Sequence, residues 1–288
     1  MSILIEEKSR IIVQGITGRR GRFHSERMLN NNSPLVGGTS PGKGGEWAFN
    51  GRIPVFDTVK DCVEATNADV SVLFVPPHAT SDCILESIEA GIKTIISVTG
   101  SVPVQDMMQV KSALRKSDSV LIGPNSPGVL VPDIANAGIF PDHIVGAGGV
   151  ALVSRSGTLS YEVLDILNKA GIGVSVAIGI GDDPIIGMDF KFFLELLESD
   201  PHTEQIVLVG GPGGESELVA ANYIMESITK PVVAYVVGEN LTTSMMSSFL
   251  SRNSNFFLNS VERKTNAFIE AGALLARNIE DIPCLLRR

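Results

Sequence analysis

The chain has 288 residues and a formal net charge of −9, with 23 Lys and Arg against 32 Asp and Glu. That length exceeds one typical domain of about 100–200 residues and suits two. An acidic chain without a Lys/Arg run and with only 6% aromatics offers neither the basic face nor the stacking surface of a nucleic-acid binder.

In chain order, the first half alternates short apolar runs with amphipathic stretches. Arg10–Gln14 reads as a strand and Gly21–Asn30 as a helix. Thr58–Thr66 is a second helix, Val70–Val75 a buried strand, and Thr80–Ala90 a helix with Ile84, Leu85 and Ile88 on one face. Thr94–Val98, Val104–Lys116 and Val120–Ile122 follow as strand, helix and strand. Continuous apolar strands separated by helices imply a parallel sheet covered on both faces. With right-handed crossovers, that is a doubly wound α/β fold.

Asn136–Gly149 is rich in Gly and weakly periodic, so the domain boundary is expected there, between domains at residues 1–140 and 148–288. The pattern then restarts. Strands are expected at Val150–Val153, Val174–Ile178, Ile206–Val209 and Val232–Val236. Helices are expected at Gly157–Ala170, Phe190–Glu198, Glu215–Ile228, Val261–Ala271 and Ile279–Leu286.

No apolar run approaches the roughly 18–20 residues of a membrane span. The start MSILIEEKSR has acids where a signal peptide has a basic region. Cys62, Cys83 and Cys284 are far apart and form no C-x-x-C pair, so neither a metal site nor a disulfide framework is expected. A cytoplasmic protein, or a mature organellar one from a reducing compartment, with no membrane or nucleic-acid partner is the expectation.

Two glycine-containing loops carry chemistry. Gln14–Gly21 (QGITGRRG) follows the first strand and opens a helix. The unpaired amides and positive dipole of a helix N-terminus attract phosphate, and Gly15 and Gly18 let the backbone approach it. Thr17 adds a hydroxyl, and Arg19 and Arg20 add two positive charges. An ordinary βα turn with solvated arginines carries the same residues. Gly37–Gly45 (GGTSPGKGG) surrounds Lys43 but lacks the Ser/Thr and spacing of a P-loop. The first loop lacks the full G-x-G-x-x-G, and the acid expected about 20 residues on is missing, which argues against a nicotinamide oxidoreductase.

Taken together these segments resemble the α subunit of succinyl-CoA synthetase, a family of acid–thiol ligases. The resemblance rests on QGITG at Gln14–Gly18, Phe23–Glu26, GGTSPGKGG, and Pro54–Val59. It continues through GPNSPG at Gly123–Gly128, VSRSGTLSYE at Val153–Glu162, GIGDDPIIG at Gly179–Gly187 and KPVVAYVVG at Lys230–Gly238, and resumes in Glu262–Leu286. It implies an N-terminal Rossmann-like CoA-binding domain and a C-terminal flavodoxin-like doubly wound domain. It further implies coenzyme A at Thr17, Gly18, Arg19 and Arg20, with Lys43 nearby and Ser97, Val98 and Thr99 bordering. Phosphate is implied at Ser154, Ser156, Gly157 and Thr158, and a small carboxylic acid at Tyr161. The implied partner is an ATP-grasp β-type subunit holding ATP or GTP with Mg.

The same resemblance breaks at the chemistry. The family's phosphorylated histidine lies in a glycine-rich loop after the KPVV strand; here that region is Met245–Ser254, and no histidine follows His202. The family's two supporting glutamates align with Gly100 and Gly211, its G-P-N-C-P-G cysteine with Ser126, and its G-G-D-P with Gly181–Pro184. A phosphoryl carrier needs a nucleophilic imidazole held by a partner. His143 matches a histidine that neighbours the family's active site and is a weak candidate acceptor. His24 reads as a packing or capping residue by the CoA loop, and His78 and His202 read as surface loop residues. Met225, Met245, Met246, Phe249, Phe256 and Phe257 read as core or subunit packing. Two functions stay open: a ligase subunit that presents CoA, or another acyl acceptor, without the histidine relay, and a non-catalytic CoA-binding or regulatory chain.

Overall fold

The computed structural model describes residues 4–141, 143–238 and 254–287, with side chains from residue 260 in the last stretch. The chain divides into two compact units, one of residues 2–143 and 178–188, the other of 144–177 and 189–288 with residue 1.

The first unit runs β1 (Ile11–Gln14), α1 (Arg19–Asn30), β2 (Leu35–Thr39), β3 (Trp47–Ala48), β4 (Ile53–Phe56), α2 (Val59–Thr66) and β5 (Val70–Leu73). It continues α3 (Pro77–Glu89), β6 (Thr94–Ser97), α4 (Val104–Leu114), β7 (Val120–Ile122), β8 (Gly128–Val131) and β9 (Ala135–Gly138). The main sheet has the order β3-β4-β2-β1-β5-β6-β7. Its pairings are parallel except β3, which runs antiparallel to β4. Without β3, this is the Rossmann order, in which the strand sequence reverses between β1 and β5. Strands β1, β5 and β6 are buried at every position. Ile12, Leu73, Ile84, Ile95, Val110 and Leu121 share one core, each such side chain contributing about 1.5–3 kcal/mol by burial.

The polar residue inside β1 is satisfied. The Gln14 amide donates to Ser71 Oγ at 2.9 Å and Ser87 Oγ at 2.7 Å, as a buried amide must. Helix α2 starts where a cap starts it: Thr58 Oγ accepts the Asp61 amide. Helix α3 begins three residues earlier than the periodicity predicts, because Pro77 at the first helical position has a suitable φ and needs no amide partner. His78 sits in the first turn of this helix and is exposed.

Strands β2, β4, β8 and β9 escape the apolar pattern. In β2 two interior glycines lower strand propensity, yet packing demands them: a Cβ at Gly38 would collide with the Ile16 side chain. In β4, Pro54 masks the signal. The weakly periodic stretch Asn136–Gly149, inside which the chain passes from one unit to the other at 143/144, is entered by strands at both ends. Asn136 to Gly138 belong to β9, which pairs with β8 as a hairpin, and residues 147–149 already belong to the next strand.

The second unit contains β10 (Ala147–Ser154), α5 (Gly157–Lys169), β11 (Val174–Gly179, its last two residues assigned to the first unit), α6 (Phe190–Ser199), β12 (Gln205–Gly210) and α7 (Ser216–Ser227). Then come β13 (Val232–Val236), α8 (Ser254–Glu270), β14 (Leu274–Leu275), a 3-10 turn at Ile279–Asp281 and α9 (Ile282–Leu286). Its strands lie in the order β14-β13-β12-β10-β11, the flavodoxin-like arrangement, with its reversal between β10 and β12. Ser156 and Asp189 cap α5 and α6. Leu152, Val207, Leu208 and Val233 on strands and Phe190, Phe193 and Phe268 on helices are all fully buried or nearly so. Met225 is 61% exposed on α7, so it lies outside the core of this chain. Met245, Met246, Phe249 and the side chains of Phe256 and Phe257 lie outside the described residues. Among those described, no helix is long and apolar enough to cross a membrane.

The three thiols differ sharply. Burial pushes the Cys62 thiol up to about 12 against a hydrogen bond with Thr66. Burial, then the carboxylates of Glu86 and Asp82, push Cys83 up to about 11. Cys284 is exposed. Because the thiolate is the nucleophile, iodoacetamide at about pH 8 is expected to label Cys284 alone in the native protein. Peptide mass mapping reads this, and labelling of Cys62 without denaturant would contradict the packing.

Candidate functional site

The first loop sits outside the carboxyl ends of β1 and β5, where ligands of open α/β sheets bind. Gly15 has φ +77, and a Cβ there would lie 2.8 Å from the Phe74 carbonyl oxygen, just past β5. Only glycine makes that turn at that distance. The amides of Gly15 and Ile16 donate to the Thr39 carbonyl at 2.9 and 3.3 Å, so the turn is tied to β2. Gly21, one turn later, has no room for a Cβ against the Gly15 carbonyl. It plays the close-packing part of a third fingerprint glycine, and the spacing G-x-x-G-x-x-G hid it from the motif search.

Helix α1 opens at Gly18, its N-cap, with no side-chain cap and no acid in the first turn. Arg19, Arg20 and Arg22 are exposed there. Cations at a helix N-terminus oppose the dipole, and amides without a side-chain cap leave room for an anion. The arrangement is poor for the helix alone and favourable for phosphate. Thr17 Oγ1 lies 2.7 Å from Ser40 Oγ, joining the first loop to the second. Ser40 was not among the expected residues. Lys43 is exposed in a turn closed by its own amide on the Ser40 carbonyl at 3.0 Å and by the Glu46 amide on the Lys43 carbonyl at 3.1 Å.

Ser97, Val98 and Thr99 follow β6. Ser97 is fully buried, and Thr99 donates its hydroxyl to the Val75 carbonyl at 2.6 Å. Their side chains brace the ends of β5 and β6, while Val98 is half-buried. The GPNSPG loop docks on the same backbone: Asn125 N donates to Thr99 O at 2.9 Å and Ser126 N to Ser97 O at 3.3 Å. Ser126 donates its hydroxyl to the Gly179 carbonyl and accepts the Gly128 amide. It is a structural serine. A Cβ at Gly100 would come within 2.7 Å of the Asn125 side chain.

In the second unit the reversal between β10 and β12 places two turns side by side. Ser154 is fully buried, donates to the Ser156 carbonyl at 2.8 Å and accepts the Ser156 amide at 3.1 Å. Ser156 caps α5 on Leu159 N at 3.2 Å and lies 3.3 Å from Thr158 Oγ1. Gly157 is half-buried, and Thr158 is exposed on the first turn. Tyr161, one turn on, is half-buried. His143 is exposed in a turn, and His24 stacks on Phe74 with ring centroids 5.1 Å apart, the packing role expected of it. Met245–Asn253 lies outside the described residues. No group of three or more metal-type ligands occurs among those described.

Beneath these turns lies a buried charge network that motif reading did not find. Glu217 on α7 and Lys264 on α8 are 0% and 1% exposed, and Arg155 after β10 is 8% exposed. Lys264 Nζ lies 2.9 Å from Glu217 Oε2, and Arg155 Nη1 lies 3.6 Å from Glu217 Oε1. Lys264 also donates to the carbonyls of Gly211 and Gly213 at 2.7 and 2.8 Å, and Arg155 to Gly213 at 2.7 Å. Glu217 Oε1 accepts the Gly211 amide at 3.0 Å. The network holds the Gly210–Gly214 loop from below, and a Cβ at Gly211 would meet nothing within 4 Å. Removing one member of a buried ion network leaves uncompensated charge. Glu217→Leu is therefore expected to cost about 3–5 kcal/mol of stability in denaturant unfolding; a loss within error of zero would show that the cations find other partners.

A family model described as CoA binding domain matches residues 6–100, and one described as CoA-ligase matches residues 153–272. The malate–CoA ligase subunit alpha of Methylorubrum extorquens is 46% identical over 242 residues, 83% of this chain and 81% of that protein. The ADP-forming succinate–CoA ligase subunit alpha 1 of Archaeoglobus fulgidus is 39% identical over 288 residues, 100% of this chain and 98% of that one. An ATP citrate lyase from Methanosaeta concilii, solved with (3S)-citryl-CoA, shares the fold at a TM-score of 0.85 and 23% identity, over 99% of this chain and 50% of that chain. With both family models matched and these relatives aligned over most of its length, the chain belongs to the family of succinate–CoA ligase α subunits.

Proposed function

We propose that this chain is the CoA-presenting subunit of an ATP- or GTP-dependent acid–thiol ligase that works without a phosphohistidine relay. Its partner is an ATP-grasp β-type subunit holding the nucleotide and Mg, and its acid is a small carboxylate. The observation that carries the reading is an asymmetry. The first unit offers groups suited to a phosphate: the Thr17–Ser40 hydroxyl pair, the amides at the start of α1 without a side-chain cap, and the exposed Arg19, Arg20 and Lys43. The relay positions are altered together: no histidine follows His202, and glycine stands at positions 100 and 211. At Gly100 the Asn125 side chain occupies the room that a side chain there would need.

Each group then has a physical task. Arg19, Arg20 and Lys43 neutralise the CoA phosphates, and the α1 amides donate to phosphate oxygens. Coenzyme A, when bound, supplies the thiol that displaces phosphate from an acyl phosphate. The start of α5, with Ser156 and Thr158, stabilises the negative charge of the phosphoryl group while it is held and as it leaves. Tyr161 borders the acid. The relatives' names, malate–CoA and succinate–CoA ligase, support a dicarboxylate. Free cysteines suit a reducing cytoplasm.

The same asymmetry favours one second reading, a CoA-binding regulatory chain that turns nothing over. Titration calorimetry separates the parts. Arg19→Ala, Arg20→Ala and Lys43→Ala together are expected to weaken CoA binding by more than about tenfold, and unchanged affinity would sink the cradle assignment. With an ATP-grasp partner, acid-dependent nucleotide hydrolysis that leaves no labelled phosphate on this chain is expected. Labelled phosphate retained on this chain would restore a relay, and the absence of turnover with every dicarboxylate would favour the regulatory reading.

A further inference from the structure

The second loop contains a feature that its chemistry does not call for. Lys43 is flanked by glycines, and Gly42 and Gly45 have φ +79 and +88. Such a loop is costly to order. Backbone bonds close its turn and tie its end to β4, Gly45 N donating to Val55 O at 3.0 Å, and one carboxylate takes the amides on either side of Lys43: Asp57 Oδ1 accepts those of Gly42 at 2.7 Å and Gly44 at 2.9 Å. A methyl group at Gly44 would collide with that same carboxylate. Asp57 is in place because of the sheet register. Thr39 pairs with Phe56 across β2 and β4, and Ser40 N donates to Phe56 O at 2.9 Å. The residue after β4 therefore stands beside the turn after β2. From there the linkage continues through Ser40 Oγ and Thr17 Oγ1 to the start of α1.

On charge alone, a carboxylate beside a phosphate site is counterproductive. Asp57 is exposed, so solvent screens part of that repulsion. What it offers in exchange is preorganisation. Two charge-assisted bonds to the amides on either side of Lys43 help keep the turn ordered, so binding need not order it.

We propose that Asp57 is the positioning residue of the phosphate cradle: its carboxylate holds the Gly42–Gly44 turn so that Lys43 is presented to a phosphate group of coenzyme A. The assignment rests on the reading of this cradle as the CoA site. It makes a prediction about sign that a purely electrostatic role would reverse. Asp57→Ala removes both the clamp and the charge, whereas Asp57→Asn keeps an acceptor oxygen and removes only the charge. Positioning predicts that Asp57→Ala weakens CoA binding by about tenfold while Asp57→Asn stays within about threefold of the parent chain. Charge alone predicts that both variants bind CoA more tightly.

The experiment is calorimetric titration of the full chain and both variants with CoA and with pantetheine, which has no phosphate. The expected result is a loss of CoA affinity confined to Asp57→Ala, with pantetheine affinity unchanged. CoA affinity in Asp57→Ala equal to or above the parent's overturns the assignment, as does an equal loss for pantetheine. The triple variant of Arg19, Arg20 and Lys43 is titrated alongside. If it weakens CoA binding and Asp57→Ala does not, only the positioning role fails. If neither does, the cradle assignment fails as well.

Discussion

Everything at the ligand-binding end of the first unit depends on how near the chain passes to the Phe74 carbonyl at Gly15. A side chain there would force β1 and β5 apart or push the turn away from the sheet. The close approach directs α1 across the switch point and sets its amides where a phosphate can reach them. Gly21 lets the helix lie against the same turn, and the Thr39 carbonyl holds it from the other side. The arginines at the helix start, unfavourable against the dipole, belong to this geometry and to its ligand.

The second unit solves the same problem with charge. Its switch-point loop, Gly210–Gly214, has little side-chain substance, so buried cations bind its carbonyls. Glu217 offsets those cations and takes an amide of the loop in return. A network of this kind earns its place through conformational specificity more than through net stability. It joins β10, α7 and α8, three elements far apart in the chain, around one short turn.

The two glycine-containing loops of the first unit are joined by hydrogen bonds, Thr17 to Ser40 and Asp57 to the amides of Gly42 and Gly44. No histidine follows His202 in the sequence, and glycine stands at positions 100 and 211. At Gly100 a side chain has no room, because Asn125 stands where it would go. At Gly211 the space is open.

Much of this was legible in the residues themselves. Apolar runs with intervening amphipathic helices determined a doubly wound α/β fold, since both faces of such strands must be covered. Arginines and glycines at a strand-to-helix turn determined a helix start open to an anion, since the amides and dipole there are local properties of the chain. Strands β2, β4, β8 and β9 were not legible, because their glycines and proline defeat propensity and only packing or hairpin pairing makes them strands. Ser40, Asp57 and the Arg155–Glu217–Lys264 network were also hidden. Each acts on a residue distant in the chain, and which polar side chains meet across such separations is decided by sheet register and helix packing, which exist only in the folded structure.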